Sequence, residues 1–529
     1  MAGKIDKIIL TNTAALKAKY GKSGAHSISV EIERLISSDR ARGLTTRLVA
    51  IDDVRSMREF SAHPVTQATD ARQNKQAVDD LYAALAPDYI LLLGSIDVIP
   101  SQRLHNPVYT SPTGEDTDRN AAGDLPYACE AAYSPEVTDF VGATRVVGRL
   151  PDIAGAGEPS YLLRLLKTAA DARAMSIDAY RRRFAVTAQI WEASTRLSMR
   201  KIFGDSTGVL QVPPRSSNWP RKLVSARVHF INCHGASLAS EFFGQPANDK
   251  PLYPVALKAS QMDGKIARGT IASVECCYGA QLDRISPSHA RLGICETYLT
   301  NSAWGFVGST TIAYGDSAGN GQADLVCQYF MENVLAGASL GRAFLEARQK
   351  FVSTASPLHP LDLKTLAQFN LYGDPSIVAV RPRVPKGTLS RTPDVKSVQS
   401  ERSARHDRRR TLFRTGFALS EREPITRRIA TTEAASIRRA LHARARSFNL
   451  RPRKMLSFAI RYRSTSRATP QGLVSKSLLP KAYHILFCRS RTATGREGSR
   501  RRLGIPNIVV LIGKEVNGAL VSFAKIDSR

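Results

Sequence analysis

Several absences narrow what this chain can be. Its seven cysteines (129, 233, 276, 277, 295, 327 and 488) form an odd, scattered set with no Cys-x-x-Cys pair. That spacing argues against both a disulfide framework and a zinc site, so free thiols are expected and no metal or other cofactor. No apolar run nears the about 20 residues of a membrane-spanning helix; the longest candidates are Tyr89 to Gly94 and Ile508 to Ile512. Asp6 and Lys7 interrupt the stretch where a secretory h-region would lie, so no signal peptide is read and a cytoplasmic protein without membrane contact is expected. His-Glu-x-x-His and Gly-x-Ser-x-Gly are both missing, which removes two common hydrolase classes. Gly319-Asn320-Gly321 is not followed by lysine and serine; it reads as a turn rather than a phosphate loop.

Acidic residues are scarce in one region only. The chain of 529 residues carries 75 Lys+Arg against 46 Asp+Glu, a net charge of +29. Residues 381–529 hold 35 of those bases against 9 acids, whereas residues 1–380 hold 40 against 37. The molecule is therefore a near-neutral body with a basic tail, and 28 of the tail's bases are arginines. Guanidinium groups suit phosphate and carboxylate partners. Two readings of the tail stay open: binding of nucleic acid or another acidic partner, or an accessory region kept soluble by self-repulsion.

The body alternates strand and helix signals. Residues 1–155 read as Ile5 to Leu10 strand, Ala14 to Tyr20 helix, Thr46 to Ile51 strand, Lys75 to Leu85 helix and Tyr89 to Leu93 strand. A second alternation fills residues 156–380, from the helical spacing of Leu162, Leu165, Leu166 and Ala169 to a last apolar segment at Phe369 to Val380. Such alternation predicts α/β architecture with mostly parallel sheets. Residues 381–410 read as a basic linker, and 411–529 as a small α+β unit with strands at Tyr483 to Phe487, Asn507 to Ile512 and Ala519 to Phe523 and a charged loop at Arg489 to Arg502.

Two short apolar runs in the second unit end in residues with chemistry. Val228-His-Phe-Ile-Asn-Cys-His234-Gly235 and Thr270-Ile-Ala-Ser-Val-Glu-Cys-Cys277-Tyr-Gly279 look like buried parallel strands. Each presents a functional side chain where a glycine lets the backbone turn sharply. A cysteine reacts as thiolate, so a nucleophilic thiol wants an imidazole beside it; His234 would take the proton of Cys277 and pass it to a leaving amine. The backbone amides of Gly235 and Cys277 would hold the oxyanion. His229 reads as a core group, and Asn232 either orients His234 or serves the strand edge.

With these motifs in view the chain resembles the caspase-like cysteine peptidases, most closely their gingipain-type branch, over roughly residues 3–380. The resemblance rests on Leu-Leu-Leu-Gly to Val-Ile-Pro at 91–100, Val-Val-Gly-Arg-Leu-Pro at 146–151, His234-Gly235, Cys277 and Leu-Tyr-Gly-Asp-Pro at 371–375. Glu275-Cys-Cys-Tyr-Gly279 parallels the caspase Gln-Ala-Cys-Arg-Gly pattern, and the 43 residues from His234 to Cys277 are comparable to the about 50 of caspases. The resemblance implies two side-by-side α/β subdomains, a peptidase acting on protein or peptide substrates, Cys277 rather than Cys276 as nucleophile, and a site at the carboxyl ends of the second subdomain's strands. It further implies a basic P1 side chain held by Glu192, an aromatic wall at Tyr314 and a polar group at Asp316. A catalytically inactive scaffold of the same fold is the alternative function.

Overall fold

Apolar runs of four to six residues, each closed by turn formers, become the strands of a single ten-stranded sheet. Across that sheet the order is Thr46–Ala50, Lys7–Thr11, Tyr89–Leu93, Val147–Leu150, Phe369–Tyr372, Gly305–Ser309, Ile271–Val274, Val228–Asn232, Arg183–Ala188 and Val209–Val212. Every neighbouring pair is parallel except Phe369–Tyr372 against Gly305–Ser309. The molecule is thus α/β with a mostly parallel sheet, and the two alternating halves share it through Phe369–Tyr372. Both faces are covered by helices, which is why the central strands read as continuous apolar runs without alternation.

The computed structural model describes residues 4–248, 250, 252–282, 292–316, 318–381, 395–430, 435–462, 479–490, 503–506 and 508–529. Most of the charged loop expected at Arg489 to Arg502, and the first part of the expected linker, lie outside the described residues.

Helix lengths differ from the sequence reading where small and polar residues blur the period. The helix expected at Ala14 to Tyr20 runs from Thr13 to Ala41, capped by the Asn12 side chain on the Ala15 amide (2.8 Å). Gly21 breaks its helical geometry, but Ile28, Ile32 and Leu35 carry the buried stripe onward. Residues read as linker form the helix Val395–Arg422. It contains no proline, and its arginines dock on carboxylates of the body: Arg402 on Asp6 (3.1 Å) and Arg409 on Asp88 (3.3 Å). Gly416 lies so close to the Ala143 carbonyl that a Cβ there would overlap it. None of the described helices is long and apolar enough to cross a membrane.

The basic region does not stand apart from the body. Its strands Ile425–Ile429, Leu450–Arg461, Ala482–Ser490, Val509–Val516 and Ala519–Ser528 form an antiparallel sheet on which Ile437 and Leu441 of the helix Ala435–Ser447 pack. That sheet has a sixth strand, and it comes from the body. Tyr314–Asp316 pairs antiparallel with the end of Ala519–Ser528. The body strand Gly305–Ser309 ends there, and the chain then leaves the large sheet to supply this edge.

Candidate active site

The strands carrying the two motifs are neighbours. Ile271–Val274 pairs in parallel with Val228–Asn232, Val274 opposite Ile231, so residues 234 and 277 follow adjacent strands off the same carboxyl edge. His234 and Phe243 exchange both backbone hydrogen bonds (2.8 Å each), which fastens the segment after the strand. A Cβ at Gly235 would overlap the Cys277 carbonyl oxygen; the two segments approach as only glycine permits. Gly235→Ala is accordingly expected to push the segments apart, costing about 1–3 kcal/mol of stability. Denaturant unfolding reads that loss, and the rate of thiol-probe labelling at Cys277 should change with it.

The His234 ring lies 4.4 Å from the Trp191 ring and edge-on to Tyr253 at 5.4 Å. Its Nε2 sits 2.7 Å from Gln245 Oε1. With the Gln245 amide oxygen on that side Nε2 donates, which leaves Nδ1 as the nitrogen that can accept a proton. Cys277 Sγ accepts the Ala313 amide (3.2 Å) and lies 3.5 Å from the Ala313 carbonyl oxygen. Burial pushes its thiol up to about 12, against the opposing pull of the Ala313 amide and the Lys364 charge. Tyr278, held at positive φ (56°), anchors the turn through its hydroxyl on Asp118 (2.8 Å).

The other candidates separate by environment. Cys276 is buried in the sheet, its Sγ facing the Ile231 carbonyl at 4.0 Å. His229 is a core residue: Nδ1 meets the Tyr298 hydroxyl (2.7 Å), and Nε2 meets the Val224 and Ala226 carbonyls (3.0 Å each). Desolvation lowers its pKa to about 4, so it stays neutral. Asn232 donates to Ser194 and Thr195 (3.2 and 3.1 Å) rather than to His234; Gln245 is the side chain on the imidazole.

The cleft beside these groups is filled by the chain itself. The carbonyl oxygen of Arg529 accepts from the amides of Cys277 (3.2 Å) and Gly235 (3.5 Å), and the Arg529 amide donates to the Ala313 carbonyl (3.0 Å). Upstream, Ser528, Asp527 and Ile526 pair with Tyr314, Gly315 and Asp316. The Arg529 side chain is fully buried. Its Nη2 donates to Asp324 Oδ1 (2.8 Å) and to the Asp316 carbonyl (2.7 Å), and its guanidinium lies 4.4 Å from the Trp191 ring centre. A Cβ at Gly315 would overlap that guanidinium, so the cradle exists because residue 315 has no side chain.

Asp324 is held in place by the amides of Asp316 (3.0 Å) and Gly321 (3.2 Å), at the start of the helix Gln322–Leu335. Glu275 is buried behind it. Desolvation and the neighbouring Asp324 charge hold the Glu275 carboxyl well above the ordinary range. Asp324 is the carboxylate that meets the guanidinium.

Of the residues expected around a basic side chain, Asp316 adjoins it by backbone only and Tyr314 pairs with the residue before it. Asp316 offers its carbonyl, while its carboxylate accepts the Ala318 and Gly319 amides (2.8 Å each). Tyr314 pairs by backbone with Ser528, and its hydroxyl donates to Asp116 (2.7 Å). The structure does not bring Glu192 to the guanidinium; that carboxylate pairs with Arg196 (2.6 Å) one turn along its own helix. The aromatic group therefore comes from residue 191 and the acid from residue 324, the reverse of the two segments expected. Asp324 had a signal in the sequence: an acid at the third helical position after Gly321 is a helix-start pattern. Nothing in the sequence marked Trp191, Gln245 or Gly315. Among the described residues no three His, Cys, Asp or Glu side chains group as a metal centre requires.

Fold and site together define a mostly parallel α/β protein that presents a thiol and an imidazole beside an arginine-filled cleft. The chain is similar in structure to a solved protease, with 11% identity, TM-score 0.45, and 100% of this chain and 92% of that one covered. It is likewise similar to the complex of the pro- and mature domains of Porphyromonas gingivalis RgpB, with 10% identity, TM-score 0.45, and coverage of 100% and 93%. Similarity to the Saccharomyces cerevisiae separase–securin complex covers 45% of this chain and 14% of that one, with 12% identity and TM-score 0.27. No family model and no curated protein matches the sequence.

Proposed function

We propose that the chain is a cysteine endopeptidase that cleaves after basic residues, arginine foremost. One observation carries the reading: the main-chain carboxyl oxygen of Arg529 sits between the Gly235 and Cys277 amides while the same residue's guanidinium meets Asp324. Arg529 stands in for the P1 residue of a substrate, its carbonyl oxygen for the one that becomes the oxyanion.

The chemistry follows from those positions. His234 takes the Cys277 proton, and Sγ attacks the carbonyl carbon while the two amides hold the negative oxygen. The protonated imidazole gives that proton to the leaving amine as the C–N bond breaks, leaving a thioester on Cys277. Water, deprotonated by His234, attacks the thioester; the acid product leaves and the thiol is restored. Asp324 supplies specificity: a guanidinium binds it and the Asp316 carbonyl with two N–H groups, which a lysine ammonium reaches as a point charge only.

A panel of otherwise identical peptides with Arg, Lys or Asp at P1 tests the reading, run on an Arg529→Gly chain so that the cleft is open. Arginyl peptides are expected to turn over at least about tenfold faster than lysyl ones, and aspartyl peptides not at all. Equal rates across the panel would remove Asp324 from the pocket. No turnover of any peptide, together with no covalent labelling of Cys277, would leave a non-catalytic scaffold.

A further inference from the structure

The segment in the cleft belongs to the same chain and enters as a substrate would. It is extended, it pairs antiparallel with Tyr314–Asp316, and it delivers Arg529 to the pocket and the Arg529 carbonyl oxygen to the two amides. β-strand addition to a free sheet edge is a general mode of peptide recognition, in which backbone bonds give affinity and side-chain pockets give selection. Here the edge, the pocket and the amide pair are all occupied at once.

The closure has a second component. Ile505, from the loop before the last two strands, packs with Ala236, Phe243 and Tyr253. These residues flank the His234 segment: Phe243 holds its backbone, and Tyr253 packs on its ring. The Ser528 hydroxyl ties the loop to the inserted strand, donating to the Pro506 carbonyl (3.1 Å) and accepting the Ile508 amide (3.0 Å). Strand and loop thus both lie against the segments that carry the thiol and the imidazole; Cys277 is fully buried and His234 nearly so.

We propose that Ile526–Arg529 is an intramolecular inhibitor of the cleft, so that the basic C-terminal unit keeps the site latent until this strand is displaced. What is inhibited rests on the peptidase reading; that the cleft is occupied and selective for this strand rests on geometry alone. A strand carried on a docked unit faces its site at a high effective concentration, so a free peptide must compete against it. Apparent affinity falls by the fraction of molecules in which the cleft is open.

Two measurements separate the inference from the reading beneath it. In a Cys277→Ala background, a fluorescent Ile-Asp-Ser-Arg peptide is titrated by anisotropy into the chain with Arg529 and into its R529E variant. Tighter binding to R529E by about tenfold or more supports occupancy in cis; equal affinity for the two, or no binding to either, overturns it. With Cys277 intact, hydrolysis of arginyl peptides is then compared between Arg529 and R529E chains. Faster hydrolysis by R529E supports latency. Equal hydrolysis overturns latency while the peptidase reading stands. Peptide binding gained without any hydrolysis supports occlusion of the cleft and sinks the peptidase reading instead. Thermal melts confirm folding, and where R529E melts early, Arg529→Gly, which puts no third acid beside Asp324 and Glu275, takes its place with the same readouts.

Discussion

Replacing Cys277 by alanine in the opened chain is expected to lower turnover of arginyl peptides by at least about 10⁴-fold, because the proposed acyl-enzyme forms on this thiol. Cys276→Ala should keep turnover, since that thiol faces the Ile231 carbonyl inside the sheet. The pH dependence of alkylation gives an independent check. With Arg529 in the cleft, burial pushes the Cys277 thiol up to about 12. A raised thiol pKa favours the neutral form, so the thiolate fraction and the alkylation rate should climb about tenfold per pH unit from neutrality toward that value. Displacing Arg529 is expected to admit water and so weaken the desolvation that raises the thiol. The rate profile should then move to lower pH, and intact-mass measurement of iodoacetamide adducts follows it. A flat profile that Arg529 substitution does not alter would count against Cys277 as the reactive thiol.

Asp324→Asn is expected to have the second-largest effect, with opposite signs in two assays. The asparagine keeps an acceptor for the Asp316 and Gly321 amides, while the guanidinium loses both the charge and the acceptor oxygen it meets and faces an N–H donor instead. Losing one partner of a buried charged pair costs about 2–5 kcal/mol, so kcat/KM for arginyl peptides in the opened chain should fall by roughly 30-fold or more. In the chain with Arg529 in place, the same loss weakens the inserted strand, so Cys277 should label faster. Glu192→Gln, by contrast, should leave the P1 profile unchanged, because that carboxylate pairs with Arg196. A selective fall in arginyl turnover with E192Q, and none with D324N, would return the acid of the pocket to Glu192.

The parallel α/β body was legible because its central strands are short, β-branched and apolar on both faces, and because glycines mark where the chain turns beside His234 and Cys277. Local order of that kind survives folding, since a buried parallel strand leaves few other patterns to its sequence. Helix ends were less legible. Asn12 starts a helix whose later turns hide behind Gly21 and a run of small residues, and the arginines of Val395–Arg422 read as linker until their partners Asp6 and Asp88 are known.

The separation of charge into a neutral body and a basic tail, the alternation of strands and helices, and the two glycine-flanked motifs all follow from residues near one another in the chain. The arginine cradle does not. Trp191, Gly315, Asp324 and Arg529 lie on four separate segments, and what joins them is the pairing of Tyr314–Asp316 with the final strand, a contact spanning more than 200 residues. Backbone pairing carries no residue-specific mark in either strand, and a glycine that makes room for a guanidinium looks like any other glycine. Only the tertiary structure could reveal that the chain's last arginine occupies the cleft beside Cys277.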